Sequence, residues 1–364
     1  MGVVKIRKSN FELLRFICMI SIILHHFVCF HNVKEVINFD GSSIVYYLFC
    51  SGGKLGVVLF AMITGYFMIE CKASIKKLFL LEGQVLSYSI VIFLIVFCLG
   101  NINITANDIV KSFFPNILGT YWFFSSYFIL YLIIPYLNKL ISVISKKDFF
   151  KLLIIGFVFL VLIPTLVIYK KEISGTLYLI YYYLIGGYIR KYCKNNNSSN
   201  RYLVDFFFSY FFMLVITFIL GKLSLINSIL DGYILFFEHL GSIFIFGCAV
   251  SLFLWFKNLN IGQSKIINTL GSVSFGVYLF HENFFIRNLL WNKLFVSSRY
   301  YGSFMFFIYG IFISISIYFL GGSIEFIRKK IMDDKIFPII WNKLSKNKII
   351  KNMKFKLENY NDTF

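Results

Sequence analysis

Apolar residues recur along this chain in runs of about twenty, separated by short polar or basic segments. A helix of about twenty residues crosses the ~30 Å hydrocarbon core of a bilayer. The pattern therefore predicts membrane-spanning helices rather than the short amphipathic periods of a soluble domain. Ten spans are expected, at approximately 11–31, 45–69, 78–99, 119–140, 150–169, 174–190, 202–220, 235–256, 268–290 and 304–327. The second contains Ser51-Gly-Gly-Lys54, and the ninth contains His281, Glu282 and Arg287. Either could be broken or partly re-entrant, which backbone tolerates at membrane depth only inside protein or beside a water-filled cavity. The expected fold is all-α and polytopic. Residues 1–330 form its transmembrane domain and 331–364 a basic tail.

Composition agrees with that picture. Hydrophobic residues make up 59% of the 364 residues, with a mean hydropathy of +0.77. The net charge of +19 would suggest nucleic acid in a soluble chain, but here it sorts by loop. Lys5/Arg7/Lys8, Lys72/Lys76/Lys77, Lys139/Lys146/Lys147, Arg190/Lys191/Lys194/Arg201, Lys257/Lys265 and Arg328/Lys329/Lys330 all fall on one side of a ten-span chain. The opposite loops are sparser, with Lys34, Lys111, Lys170/Lys171, Lys222 and Lys293/Arg299. Basic loops stay cytoplasmic, so both termini are expected there, in a cell-membrane protein that binds no nucleic acid. The polar run Asn195–Asn200 is a plausible cytoplasmic break between two halves. The tail, with Trp341, Ile349 and Ile350 among lysines, either lies on anionic inner-leaflet lipid or is partly disordered. Oligomeric state is left open.

Several chemistries lack a signature. The seven cysteines are odd in number and show no CxxC or other metal spacing, so no metal is expected. There is no G-x-S-x-G elbow and no Walker A loop. The first apolar run is too long for a signal peptide and lacks a small-residue cleavage site.

The polar residues inside the spans carry the functional question, because each is expensive in hydrocarbon. Arg15 and His26 share the first span. Eleven positions are about three helical turns, which puts both side chains on nearly one face, roughly 16 Å apart. His25 falls roughly 80° away from that face. Arg15 either snorkels to lipid phosphate or binds an anion through its guanidinium fork, and Glu12, one turn before it, orients it or pairs with it at the surface. His281 and Glu282 form a second polar pair, either a wall of an active site or an interhelical network. Asn283 is a candidate donor to an oxyanion. Tyr121 and Trp122 either stack on a sugar or anchor an interface. Glu82, Glu238 and His239 are polar candidates without a motif, and His31 is expected in an external loop.

These residues resemble the acyltransferase 3 family of integral membrane acyltransferases, many of which O-acetylate surface polysaccharides. The first span, Glu12-Leu-Leu-Arg15 followed by ten residues and His26, is similar to the family's signature. Leu55-Gly-Val-Val-Leu-Phe-Ala-Met-Ile-Thr-Gly-Tyr66 is similar to a second motif, with Thr64 where Ser is usual. Tyr121-Trp-Phe-Phe-Ser-Ser-Tyr127 with Tyr131, Pro135 and Asn138 resembles a third, and Leu270 to His281 a fourth. One departure is the basic pair that opens the third span: Lys77 fits the first position, but Leu80 occupies the second, with Lys76 or Lys72 as substitutes.

The resemblance implies an O-acyltransferase that takes acetyl-CoA as donor substrate, with a succinyl donor as the alternative, and holds no bound cofactor. The acceptor would be a hydroxyl of a cell-surface glycan or its lipid-linked precursor. It implies His26 as general base and Arg15 toward the phosphate-bearing part of the acyl-CoA. His281 and Glu282 would complete the catalytic group. Lys76, Lys77, Tyr121, Trp122 and Asn283 would serve substrate binding. A transporter of glycan or small molecules is the rival reading, disfavoured by the Arg15–His26 pair and by the lack of recognisable repeated halves.

Overall fold

The computed structural model describes residues 7–30, 43–100, 103–166, 173–195, 200–226, 239–296 and 300–354. His31, Glu238, positions 196–199 of the polar loop and residues 355–364 of the tail lie outside them, as do Lys5, Lys34, Lys170, Lys171 and Arg299. The described residues form helices and turns, with no strands among them. In chain order the helices are α1 (Ser9–Cys29), α2 (Ser43–Met68), α3 (Ile75–Leu99), α4 (Ala106–Phe113), α5 (Trp122–Val143), α6 (Lys146–Phe157) and α7 (Ile163–Leu166). They continue with α8 (Gly175–Tyr192), α9 (Asn200–Ser224), α10 (Ile243–Asn258), α11 (Lys265–His281), α12 (Phe284–Asn288), α13 (Phe304–Arg328) and α14 (Phe337–Leu344). π-helical segments join α6 to α7 and α13 to α14, and a third follows α12.

Among the described residues, seven helices are long and apolar enough to cross a membrane: α1, α2, α3, α5, the joined α6–α7, α9 and the joined α13–α14. The chain is a multi-pass, all-α membrane protein. Length and apolarity account for seven of the ten expected spans. The remaining three are helical over 18, 16 and 17 residues in α8, α10 and α11. A helix of 16 residues is about 24 Å long, short of the ~30 Å hydrocarbon thickness.

The two irregular spans behave differently. α2 runs unbroken through Ser51-Gly-Gly-Lys54. The ninth span does break: α11 ends at His281, and α12 restarts at Phe284. The last span also carries on past residue 330, because the π-helical segment Lys329–Ile336 leads directly into α14. There Phe337 is buried against Phe79 of α3, and Trp341 lies on the same ring.

α1 sits at the centre, packed along α2, α11 and α13. Without a hydrophobic drive between helices in lipid, close backbone approach through small residues supplies the packing. α2 provides it twice. A Cβ on Gly56 would lie 2.9 Å from the Cys18 carbonyl of α1. On the other side, Gly65 meets the backbone of Tyr183, and Gly186 meets the backbone of Met62, so α2 and α8 touch main chain to main chain.

Candidate active site

α1 carries Arg15, Met19, Ile22 and His26 at steps of four, three and four residues, with Phe30 four further on. That spacing is one helical stripe, and all five residues line a cavity of about 580 Å³. The shared face expected of Arg15 and His26 is present. His25 and Cys29 also border the cavity, because an opening of this width takes in the positions beside the stripe. The His25 ring is tethered, however: its Nδ1 lies 2.6 Å from the Cys50 carbonyl and 3.5 Å from the Cys29 Sγ.

His26 meets the helix break. Its Nδ1 is 3.1 Å from His281 Nε2 and 3.1 Å from Glu282 Oε1. His281 Nδ1 donates to the Val277 carbonyl at 2.7 Å. A carbonyl only accepts, so His281 carries its proton on Nδ1 and, when neutral, accepts at Nε2. His26 must then donate from Nδ1 to His281 Nε2, with Glu282 Oε1 beside it and accepting no hydrogen bond. Its Nε2 is left with the lone pair, on a ring that lines the cavity. His281 is fully buried and Glu282 nearly so, and Arg287 Nη1 stands 3.9 Å from Glu282 Oε2.

Tyr121 and Asn283 hold this break in place. Both are fully buried and neither borders the cavity, in contrast to the sugar-stacking and oxyanion positions considered for them. Tyr121 donates to the Leu279 carbonyl at 3.2 Å and accepts from Asn283 Nδ2 at 3.0 Å. Asn283 Oδ1 accepts from the Phe285 N–H at 3.1 Å and so caps α12. Trp122, the neighbouring residue, does line the cavity, with the Lys54 ammonium 5.3 Å from its ring centroid.

The other end of the cavity is charged. Arg15 Nη1 lies 2.6 Å from Glu12 Oε1, the pairing expected from their spacing, and Arg7 reaches Glu12 Oε2 at 3.3 Å. Lys329 lines the same end beside Glu325. Sequence reasoning passed over Glu325, although an acid inside the last apolar span was the signal. It is fully buried and bonded to Arg328, Gln84 and Tyr88. Lys54, Phe30 and Tyr127 were also missed as cavity residues. Lys76 and Lys77 are exposed and do not line the cavity, although Lys77 is one turn before Leu81 and two before Gln84, which do. Glu82 accepts from Asn116 at 3.2 Å, away from the cavity. His239 accepts from the Gly241 N–H, also away from it.

Among the described residues, two groups bring ligand-type atoms within 4.8 Å of one another, namely His25/Cys29/Cys50 and His26/His281/Glu282. In each group two members are near neighbours in sequence and the third comes from a different element.

No curated protein and no solved structure matches this chain. A family model described as an acyltransferase domain matches residues 8–322, a stretch that contains α1 through most of α13 and every residue of the histidine cluster. This chain belongs to the acyltransferase 3 family of membrane acyltransferases.

Proposed function

We propose that this acyltransferase moves an acetyl group from acetyl-CoA, on the cytoplasmic side, to a hydroxyl of a cell-surface polysaccharide or its lipid-linked precursor. The observation that carries the reading is the single cavity with Arg15 at one end and a hydrogen-bonded His26 at the other. The roughly 16 Å between them is comparable to a pantetheine arm. In this scheme the phosphates stay near Arg15, Arg7 and Lys329 while the thioester reaches His26.

The chemistry follows from the tautomer. His26 Nε2 takes the proton of the acceptor hydroxyl as the oxygen attacks the thioester carbonyl. The tetrahedral oxyanion collapses, the C–S bond breaks, and the leaving thiolate takes the proton back from His26. While His26 is charged, His281 holds its Nδ1–H and the Glu282 side chain stands 3.1 Å away, so the imidazolium forms beside polar groups already in place. Glu282 and His281 are thus positioning residues in this scheme. Arg287 Nη1 stands 3.9 Å from Glu282 Oε2, and Tyr121 and Asn283 hold the turn that presents it. Acetyl-CoA is a substrate, and the scheme calls on no resident cofactor.

Mass spectrometry of surface glycans from cells with and without the protein tests this reading. An acetyl mass should disappear with the protein; an unchanged acetylation pattern would remove the glycan as acceptor. Ten spans with both termini cytoplasmic complete the proposal. In intact cells lacking background cysteines, an external thiol reagent should label cysteines placed within 104–112 and fail to label one at Asn195. The reverse pattern would invert the orientation.

A further inference from the structure

Among the described residues, the His26 end of the cavity holds more positive charge than its acids answer. Lys54 projects into it from the middle of an apolar helix, with its ammonium over the Trp122 ring. Arg287 lines it too, with its guanidinium 4.9 Å from the Phe30 ring centroid. The carboxylates among the described lining residues are Glu282 and Glu325. Glu325 belongs to the opposite end, where it binds Arg328. Glu282 Oε1 lies 3.1 Å from His26 Nδ1 without a hydrogen bond, and Oε2 stands 3.9 Å from Arg287, beyond hydrogen-bonding distance. Two cations therefore face one carboxyl group that hydrogen-bonds to neither.

A cation at membrane depth is costly unless something pairs with it, and an aromatic ring lowers that cost without cancelling the charge. The acyl donor cannot supply the missing anion here. Its phosphates are placed at the Arg15 end, and the thioester that reaches His26 is neutral. The acceptor can.

We propose that the acceptor carries an anionic group, a carboxylate or a phosphate, beside the hydroxyl that is acylated, and that Lys54 and Arg287 hold it. Trp122 and Phe30 then flank the apolar face of the sugar. This proposal rests on the acyl-transfer reading of the cavity.

The test uses the full chain in nanodiscs, acetyl-CoA and the host's own surface glycan in three forms: native, carboxyl-reduced to neutral sugars, and stripped of phosphate esters. One of the two treatments should raise KM by at least about tenfold, the weight of one charge-assisted contact, and which treatment does so names the anion. Lys54→Gln should raise KM to a similar extent on native glycan, leave it unchanged on the neutralised one, and spare acetyl-CoA affinity. Lys54→Arg should restore native behaviour. Equal use of all three glycans by the wild type would overturn the proposal while leaving acyl transfer intact. A fall in kcat on every acceptor in Lys54→Gln would also overturn it, assigning the cation to the oxyanion instead. No transfer to native glycan would overturn the glycan reading itself.

Discussion

α2 and α9 have nearly the same length, 26 and 25 residues, and both are strongly apolar. Yet 67% of the α2 window is buried inside the protein and only 11% of the α9 window. Hydropathy does not account for the burial, because the less buried helix is the more apolar, 2.3 against 1.7. Small residues do: α2 carries Gly52, Gly53, Gly56 and Gly65, whereas α9 is built on Phe206, Phe207, Phe208, Phe211 and Phe212. A helix that faces other helices needs places where backbones can meet. A helix that faces lipid needs only bulk. The reactive side chains belong to the first kind, and their polarity is tolerated because the neighbouring backbone shuts lipid out.

The sharpest way to break this contrast is to fill a contact. Gly65→Leu would drive a side chain into the main chain of Tyr183. The cost should be at or above the upper end of the roughly 1–3 kcal/mol typical of overpacked cores. Loss of folded protein from detergent-solubilised membranes, read by size-exclusion fluorescence, is the expected outcome; normal yield would mean that α2 and α8 are not in main-chain contact.

Next comes the chemistry of the enclosed region. His26→Ala should lower glycan acetylation by about two to four powers of ten, as expected for a lost general base, at equal membrane abundance. His25→Ala should do far less, although its ring also borders the cavity, because its Nδ1 is held by the Cys50 carbonyl. Full activity in His26→Ala ends the proposed mechanism; loss in His25→Ala alone moves the base to the neighbouring ring.

Arg15→Ala should weaken acetyl-CoA binding in nanodiscs about tenfold, the equivalent of one charged hydrogen bond of roughly 1.5 kcal/mol. Arg15→Lys should recover only part of that, since an ammonium lacks the fork. Unchanged affinity would leave the Glu12 pair as a purely structural contact. The smallest effect belongs to α9. Phe211 is 61% exposed, and Phe211→Leu should shift stability by no more than about 0.5 kcal/mol, read as a thermal melt of the purified protein.

The sequence made the helices legible because runs of apolar residues have one physical meaning in a bilayer. It blurred the short ones: α10 lacks the length that hydropathy windows reward. The Arg15–His26 stripe was also legible, since it depends only on helical periodicity. The contact between His26 and His281 was not. It joins residues 255 positions apart, and no local rule reports such a meeting. Tyr121 shows the limit of reading residue type. An aromatic beside Trp122 invites a sugar-stacking role, but its hydroxyl is spent on Leu279 and Asn283. Lys54 shows the opposite error. Its neighbouring glycines drew attention to the backbone, while the charge itself was the informative atom.

The bond from His281 to the Val277 carbonyl has a consequence for how this site tolerates change. The atom that sets the proton's position belongs to the main chain, and every residue type carries the same one. Position 277 can therefore drift among small apolar residues without altering which nitrogen of His26 is basic. Selection acts instead on the path of α11, so a lesion in this proton wiring should surface as a distant packing defect, in a residue that no inventory of reactive side chains would include.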